Sequence, residues 1–251
     1  MCTLSFVPRD QGYSLAMNRD ERIARGAGLS PEISECDGES ATYPGDGAGG
    51  TWIAVNQSGI TLALLNLNDE GRGRKTASRG KVIPALIASK SLEDLQRSIS
   101  RIDLAGMLPF RLIGIFPEER QICEWSWRSE AIALQSLEWK SEHWFSSSLS
   151  DQLATERRGA ECSRAWKQAD AGSTAWLRKL HASHSGELGF SLCVHRDEVQ
   201  TLSYTEISYT PARVEMGHMM GSPCAQGPIQ LLVVEKSAIG KSQSSFLLTC
   251  N

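Results

Sequence analysis

The chain has 251 residues, 26 Lys and Arg against 29 Asp and Glu, a net charge of −3 and seven cysteines. The mild acidity argues against a nucleic-acid partner, and no apolar run nears the roughly 18 residues of a membrane span. An odd set of cysteines with no Cys-x-x-Cys pair excludes a disulfide framework, a zinc ribbon and a c-type haem attachment.

In chain order, residues 2–21 predict a β-hairpin. Leu4 and Phe6 alternate with Thr3 and Ser5, residues 8–12 form the turn, and Tyr13–Asn18 is the return strand. Residues 22–48 show no sustained period and are expected to form a long surface loop. Thr51–Val55 and Ile60–Leu67 predict a second hairpin, and residues 68–78 another loop. Lys81–Ser89 is expected to be helical. Ser91 then opens a capping box before Leu92, Leu95, Ile99 and Ile102, which recur at helical spacing. Arg111–Phe116 and Gln121–Trp127 predict a third hairpin, followed by shorter strands at Ile132–Leu134 and Glu142–Ser147. Asp151–Gln168 and Thr174–Ala182 read as helices. Phe190–His195 with Gln200–Ser208 reads as a hairpin, and Arg213–His218 and Gln230–Glu235 as strands. Hairpins early and late with helices between predict one α+β domain over residues 1–251, with antiparallel sheets. The N-terminus has no basic segment followed by an apolar one, so no signal peptide is expected and the predicted location is cytoplasmic.

Cysteine is small enough for Met1 to be removed before it. Cys2 would then carry a thiol and a free α-amine in one residue. That amine, with a reference pKa of roughly 7.7–8.0, is a base near neutral pH and can activate the nucleophile beside it. Met17–Glu21 ends the strand that pairs with Cys2. With Val7 facing Tyr13, Cys2 faces Asn18 and Asp20 lies diagonally on the same face. A slip of one residue sets Arg19 opposite Cys2 instead. Either register places a polar cluster beside the terminal amine.

Met-Cys-Thr-Leu at residues 1–4 and Asn-Arg-Asp-Glu at 18–21 resemble the NRDE family, which includes the transport and Golgi organisation protein 2 relatives. Further matches are residues 49–56, Leu64-Leu65-Asn66, Ser78-Arg79-Gly80, and Cys193-Val194-His195 leading into residues 200–204. The resemblance implies an N-terminal-nucleophile hydrolase fold: two antiparallel sheets face to face between helical layers. It also implies chemistry like that of choloylglycine hydrolases and penicillin acylases, which cleave linear carbon–nitrogen amide bonds. Carried over, Cys2 is the nucleophile, Asn18, Arg19 and Asp20 complete the catalytic set, and Asn66 is an oxyanion donor. The chain departs from the hydrolases in three places. Arg19 and Asp20 are adjacent rather than three apart, Ser147 stands where a second oxyanion donor is looked for, and Arg213 is the candidate for a late arginine. Eukaryotic relatives are associated with haem trafficking and with lipid or acyl-CoA metabolism. The alternative expectation is therefore a non-catalytic carrier of haem or an acyl thioester on the same scaffold.

His181, His184, Cys193 and His195 form a candidate metal-ligand group, but they meet no standard spacing. A core cysteine and a surface histidine pair are expected there, with no metal and no cofactor. Residues 45–50 are Gly-rich without the Lys-Ser/Thr of a phosphate loop. The partner expected is a small-molecule substrate or ligand.

Overall fold

The computed structural model describes residues 2–68, 76–128, 130–184 and 189–235. The strands are β1 (Cys2–Arg9), β2 (Gly12–Arg22), β3 (Leu29–Cys36), β4 (Glu39–Gly45), β5 (Ile53–Asn56), β6 (Thr61–Asn66), β7 (Phe110–Phe116), β8 (Gln121–Trp127), β9 (Ile132–Leu137), β10 (Glu142–Ser146), β11 (Val199–Tyr209), β12 (Arg213–Met220) and β13 (Gln230–Glu235). The helices are α1 (Leu92–Ile99), α2 (Asp151–Ala165) and α3 (Thr174–His181). Two sheets result, a six-stranded β10-β1-β2-β11-β12-β13 and a seven-stranded β3-β4-β5-β6-β7-β8-β9, with every pairing antiparallel.

Strand alternation sorts the side chains into three packed layers. Leu4, Phe6, Leu15 and Met17 from the first sheet meet Ile53, Val55, Leu65 and Ile113 from the second, forming the core between the sheets. The opposite face of the first sheet, with Val7, Ala16 and Tyr204, packs under α2 and α3 through Ala154, Trp176 and Leu177. The outer face of the second sheet, with Leu62, Leu64 and Leu112, is covered by Val82, Ile83, Leu86 and the α1 residues Leu95 and Ile99. This is an α+β sandwich of two antiparallel sheets. Among the described residues no helix is long and apolar enough to cross a membrane.

Helix starts follow the caps that the sequence carries. Ser91 Oγ accepts from Asp94 N, Ser150 Oγ from Leu153 N and Ser173 Oγ from Trp176 N. At the β1–β2 turn Gly12 has φ 115°, and a Cβ there would fall on the Tyr209 carbonyl.

Three expectations are corrected. Within residues 22–48, predicted as loop, Leu29–Cys36 and Glu39–Gly45 form an edge hairpin. Its outer strand is mostly exposed and carries Pro31, so no hydrophobic alternation marks it. Lys81–Ser89 is not a regular α-helix: a 3₁₀ turn at Arg79–Lys81 leads into successive turns. Phe190–His195 is not a strand, and only His195 forms an isolated bridge, to Gln200. Part of the predicted 68–78 loop, residues 69–75, lies outside the described residues.

Candidate active site at the Cys2 end of the intersheet cleft

The β1–β2 register sets Cys2 opposite Arg19 and Thr3 opposite Asn18. Of the two registers that the sequence allows, this is the one that sets Arg19 opposite Cys2. Opposed residues share a face, so Cys2 and Arg19 lie with Leu4 and Met17 on the side facing the second sheet. Asn18 and Asp20 lie with Thr3 on the helix side.

Cys2 is only 6% exposed. Its backbone N donates to Ser146 Oγ at 2.9 Å, across the β1–β10 pairing in which the two residues are directly opposed. Burial pushes the Cys2 thiol above its usual range, and the Arg19 charge pulls against that rise. Arg19 Nη1 donates to Gly26 O at 3.0 Å, Nη2 lies 3.7 Å from Glu21 Oε2, and the guanidinium carbon is 4.4 Å from the Trp52 ring centroid. The guanidinium is thus held by a carbonyl, a carboxylate and an aromatic face while it stands beside the thiol.

A second guanidinium lies near Trp52: Thr51 N donates to Gly80 O at 2.9 Å, which sets Arg79 beside the start of β5. Arg79 Nη1 donates to Pro109 O at 2.7 Å. Burial lowers its pKa, and the Cys2 charge is the largest influence opposing that lowering. In the sequence Arg79 stands within Ser78-Arg79-Gly80. Its signal was a basic residue in an otherwise small-residue turn. Arg213, the candidate for a late arginine, is instead exposed at the start of β12 and pairs with Glu215 at 2.8 Å.

Close to Arg19, the buried atoms Trp52 Nε1, Ser203 Oγ and His218 Nε2 have no hydrogen-bond partner among the described residues. Ser203 is paired with Arg19 and with Met220. His218 is paired with Thr205, to whose Oγ1 its Nδ1 is bonded at 2.9 Å, and its ring lies 6.4 Å from Trp52. Buried polar groups without partners are uncommon, and these three lie around Arg19.

Asn18 and Asp20 do not enter the cleft. Asn18 Nδ2 donates to His181 O and Leu192 O, both at 2.8 Å, tying β2 to the end of α3 and to the segment before β11. Asp20 accepts from Thr201 Oγ1 at 2.7 Å and from Arg158 Nη2 at 3.3 Å, and Arg158 Nη1 donates to Thr3 Oγ1 at 2.8 Å. Asp20 is therefore a buried partner for α2 directly behind the Cys2 strand.

Asn66 ends β6 and is paired with Phe110, which faces the outer layer, while its neighbour Leu65 faces the cleft. The backbone offers a different group. Leu64 N donates to Trp52 O at 2.9 Å, so the Asn66 N–H, two residues on, points along the same strand edge past the start of β5 at Ile53. Ser147 is buried, its N donating to Asp151 Oδ1 at 2.6 Å and its carbonyl accepting from Asn68 Nδ2 at 2.8 Å. Arg111 crosses from β7 to the Phe145 carbonyl, next to Ser146.

The fold is shared with solved N-terminal-nucleophile hydrolases. An N-acylethanolamine-hydrolyzing acid amidase orthologue from Caenorhabditis elegans is similar at a TM-score of 0.59 and 10% identity, covering 82% of this chain and 92% of that one. A mutant conjugated bile acid hydrolase from Clostridium perfringens is similar at a TM-score of 0.56 and 9% identity, covering 99% of this chain and 97% of that one. At these identities the likeness is one of fold. No curated protein sequence matches. The family model described as Transport and Golgi organisation 2 (TANGO2) matches residues 1–200, which contain Cys2, Arg19, Trp52 and Arg79, and the chain belongs to that family.

Proposed function

We propose that the protein, once Met1 is removed, is an N-terminal cysteine hydrolase of a linear carbon–nitrogen amide bond. The observation that carries this reading is the position of Cys2: its nitrogen is 2.9 Å from Ser146 Oγ and its side chain shares the cleft face with Arg19. In the processed chain that nitrogen is the α-amine, and Ser146 orients it. The amine takes the thiol proton, Sγ attacks the carbonyl carbon, and the carbonyl oxygen gains the negative charge. The resulting ammonium returns the proton to the leaving nitrogen as the C–N bond breaks, leaving a thioester. Water, deprotonated by the same amine, then releases the acid. Arg19 and Arg79 stabilise negative charge at the thiolate and oxyanion. The main-chain N–H of Asn66, rather than its amide side chain, is the oxyanion donor this reading selects. Asn18 and Asp20 act behind the strand as positioning residues.

Two structurally similar proteins are described as an acylethanolamine amidase and a bile acid hydrolase, which supports an acyl amide as the substrate class. Mass spectrometry of native protein tests the first requirement: a retained Met1 rejects the mechanism. With Met1 absent, Cys2→Ala is expected to abolish acyl-enzyme formation with an acyl-amide library, and unchanged turnover rejects Cys2.

A carrier of haem or acyl-CoA is the second reading. It is favoured by the burial that pushes the Cys2 thiol above its usual range. Saturable binding of haem or acyl-CoA by processed parent protein that turns over no amide in the library would support it, and no saturable binding of either counts against it.

A further inference from the structure

His184, Cys193, His195 and Cys224 come together at the far side of the first sheet, and their ligand atoms all lie within 4.8 Å of one another. His195 Nε2 is 3.5 Å from Cys193 Sγ and 3.2 Å from Cys224 Sγ, and the His184 and His195 rings are 5.0 Å apart. We propose that these four residues bind one zinc ion as a tetrahedral Cys2His2 site.

Zinc takes thiolate sulfur at about 2.3 Å and imidazole nitrogen at about 2.0–2.1 Å, so a tetrahedral set places its donor atoms roughly 3.3–3.8 Å apart. The two sulfur–nitrogen distances match that within the usual tolerance. Two thiolates also balance the ion's charge, which matters because Cys193 is wholly buried. Borderline-soft sulfur and imidazole donors select zinc over calcium, magnesium or manganese.

The fold already holds the ligands in place. His184 follows α3, Cys193 and His195 flank Val194 before β11, and Cys224 lies in the 3₁₀ turn Pro223–Ala225 after β12. Cys193 N donates to Ser183 O at 3.0 Å, joining the first two ligand segments. Val194 N donates to Thr201 Oγ1 at 2.8 Å and Thr201 N to Val194 O at 2.9 Å. Ser222 Oγ donates to Thr201 O at 2.7 Å, which brings the third segment to the same residue. Thr201 in turn donates to Asp20. The ion would therefore clip the strandless 190–198 segment between α3 and the β12 end, directly behind the Asn18–Asp20 strand. His181, grouped with these residues from the sequence, is not a ligand: it is fully buried with Nε2 2.9 Å from Ser5 Oγ, and Cys224 takes the fourth place.

The test uses the full chain, purified under reducing conditions, stripped with chelator and titrated with Co2+ and then Zn2+. One Co2+ per chain with thiolate charge-transfer and tetrahedral d–d bands, displaced by one Zn2+, is expected, together with a higher thermal midpoint in the zinc form. Cys224→Ser and His184→Ala change side chains that are not fully buried, and each is expected to weaken Co2+ binding by more than about a hundredfold. Cys36→Ser, at the far edge of the second sheet, should bind as the parent does. Absence of the thiolate bands, an affinity unchanged in both ligand variants, or a Cys193–Cys224 disulfide in place of the metal overturns the site. None of these outcomes depends on Cys2 or on amide turnover.

Discussion

Arg158 of α2 and Asp20 of β2 form an ion pair at 3.3 Å with both side chains fully buried. The pair stands behind Cys2, because Arg158 also holds Thr3, the next residue of β1. Removing one partner leaves an uncompensated charge inside the protein. Arg158→Ala is expected to lower unfolding free energy by about 3–5 kcal/mol in urea titrations. An Asp20→Asn, Arg158→Met double variant should cost clearly less than the sum of its singles. Additive losses would show that the two side chains are not coupled.

Asn18 is expected to matter for folding before it matters for chemistry. Its Nδ2 satisfies two carbonyls that have moved out of water, and an aspartate in its place would set an oxygen against both. Asn18→Asp should cost about 2–4 kcal/mol, the penalty for two buried acceptors left without donors. Hydrogen exchange should then rise first at the end of α3 and in the segment around Leu192. Loss of amide turnover in folded Asn18→Ala protein, with unchanged exchange there, would place Asn18 in the chemistry instead.

Arg19 opposes the effect of burial on the Cys2 thiol. Arg19→Gln removes that positive charge, so deprotonation of Cys2 should require higher pH. Alkylation of Cys2 by a small haloacetamide, followed by peptide mass spectrometry, should show its pH profile displaced upward in the variant. Trp52→Leu should produce a smaller displacement in the same direction, because it loosens the guanidinium without removing the charge. A profile that does not move in Arg19→Gln would separate Arg19 from the thiol.

Three buried histidines predict a loss of stability in acid. Burial lowers His181 to about 3, and lowers His143 and His218 to about 4. His143 Nε2 accepts from Trp166 Nε1 at 3.0 Å, which needs a neutral ring, and His143 Nδ1 and His181 Nε2 meet on Ser5 Oγ at 2.8 and 2.9 Å. In the unfolded chain each protonates near the ordinary value of about 6.5. The unfolded state thus binds more protons below that pH. The stabilising contribution is full above about 6.5 and declines as pH falls toward 4, by at most about 1.4 kcal/mol per pH unit for each histidine. Urea midpoints at pH 7, 6 and 5 should fall progressively, and the slope should flatten in His143→Gln. A slope that is unchanged in that variant would assign the acid sensitivity to other groups.

The hairpin at residues 2–21, the β7–β8 hairpin, the capped α1, and the Cys2 and Asn18–Glu21 motifs were legible from local alternation and caps. Local pattern is enough there because one face of each element is apolar and the turn chemistry is explicit. The β3–β4 hairpin was not legible, since an edge strand with little buried surface carries little hydrophobic signal. The site divided along the same line. The sequence singles out Cys2 through the Met-Cys-Thr-Leu motif, and Arg19 through its nearness along the paired strand. Only the tertiary structure chose between two registers one residue apart. That choice sends Arg19 into the cleft and Asn18 and Asp20 to the helices, because a one-residue slip reverses every side chain. His218 and Cys224 are beyond local pattern, while Arg79 is visible only as part of a short motif and His184, Cys193 and His195 only as a group without standard spacing. Their neighbours are distant in the chain, and only the packing of two sheets and their helical layers brings them together.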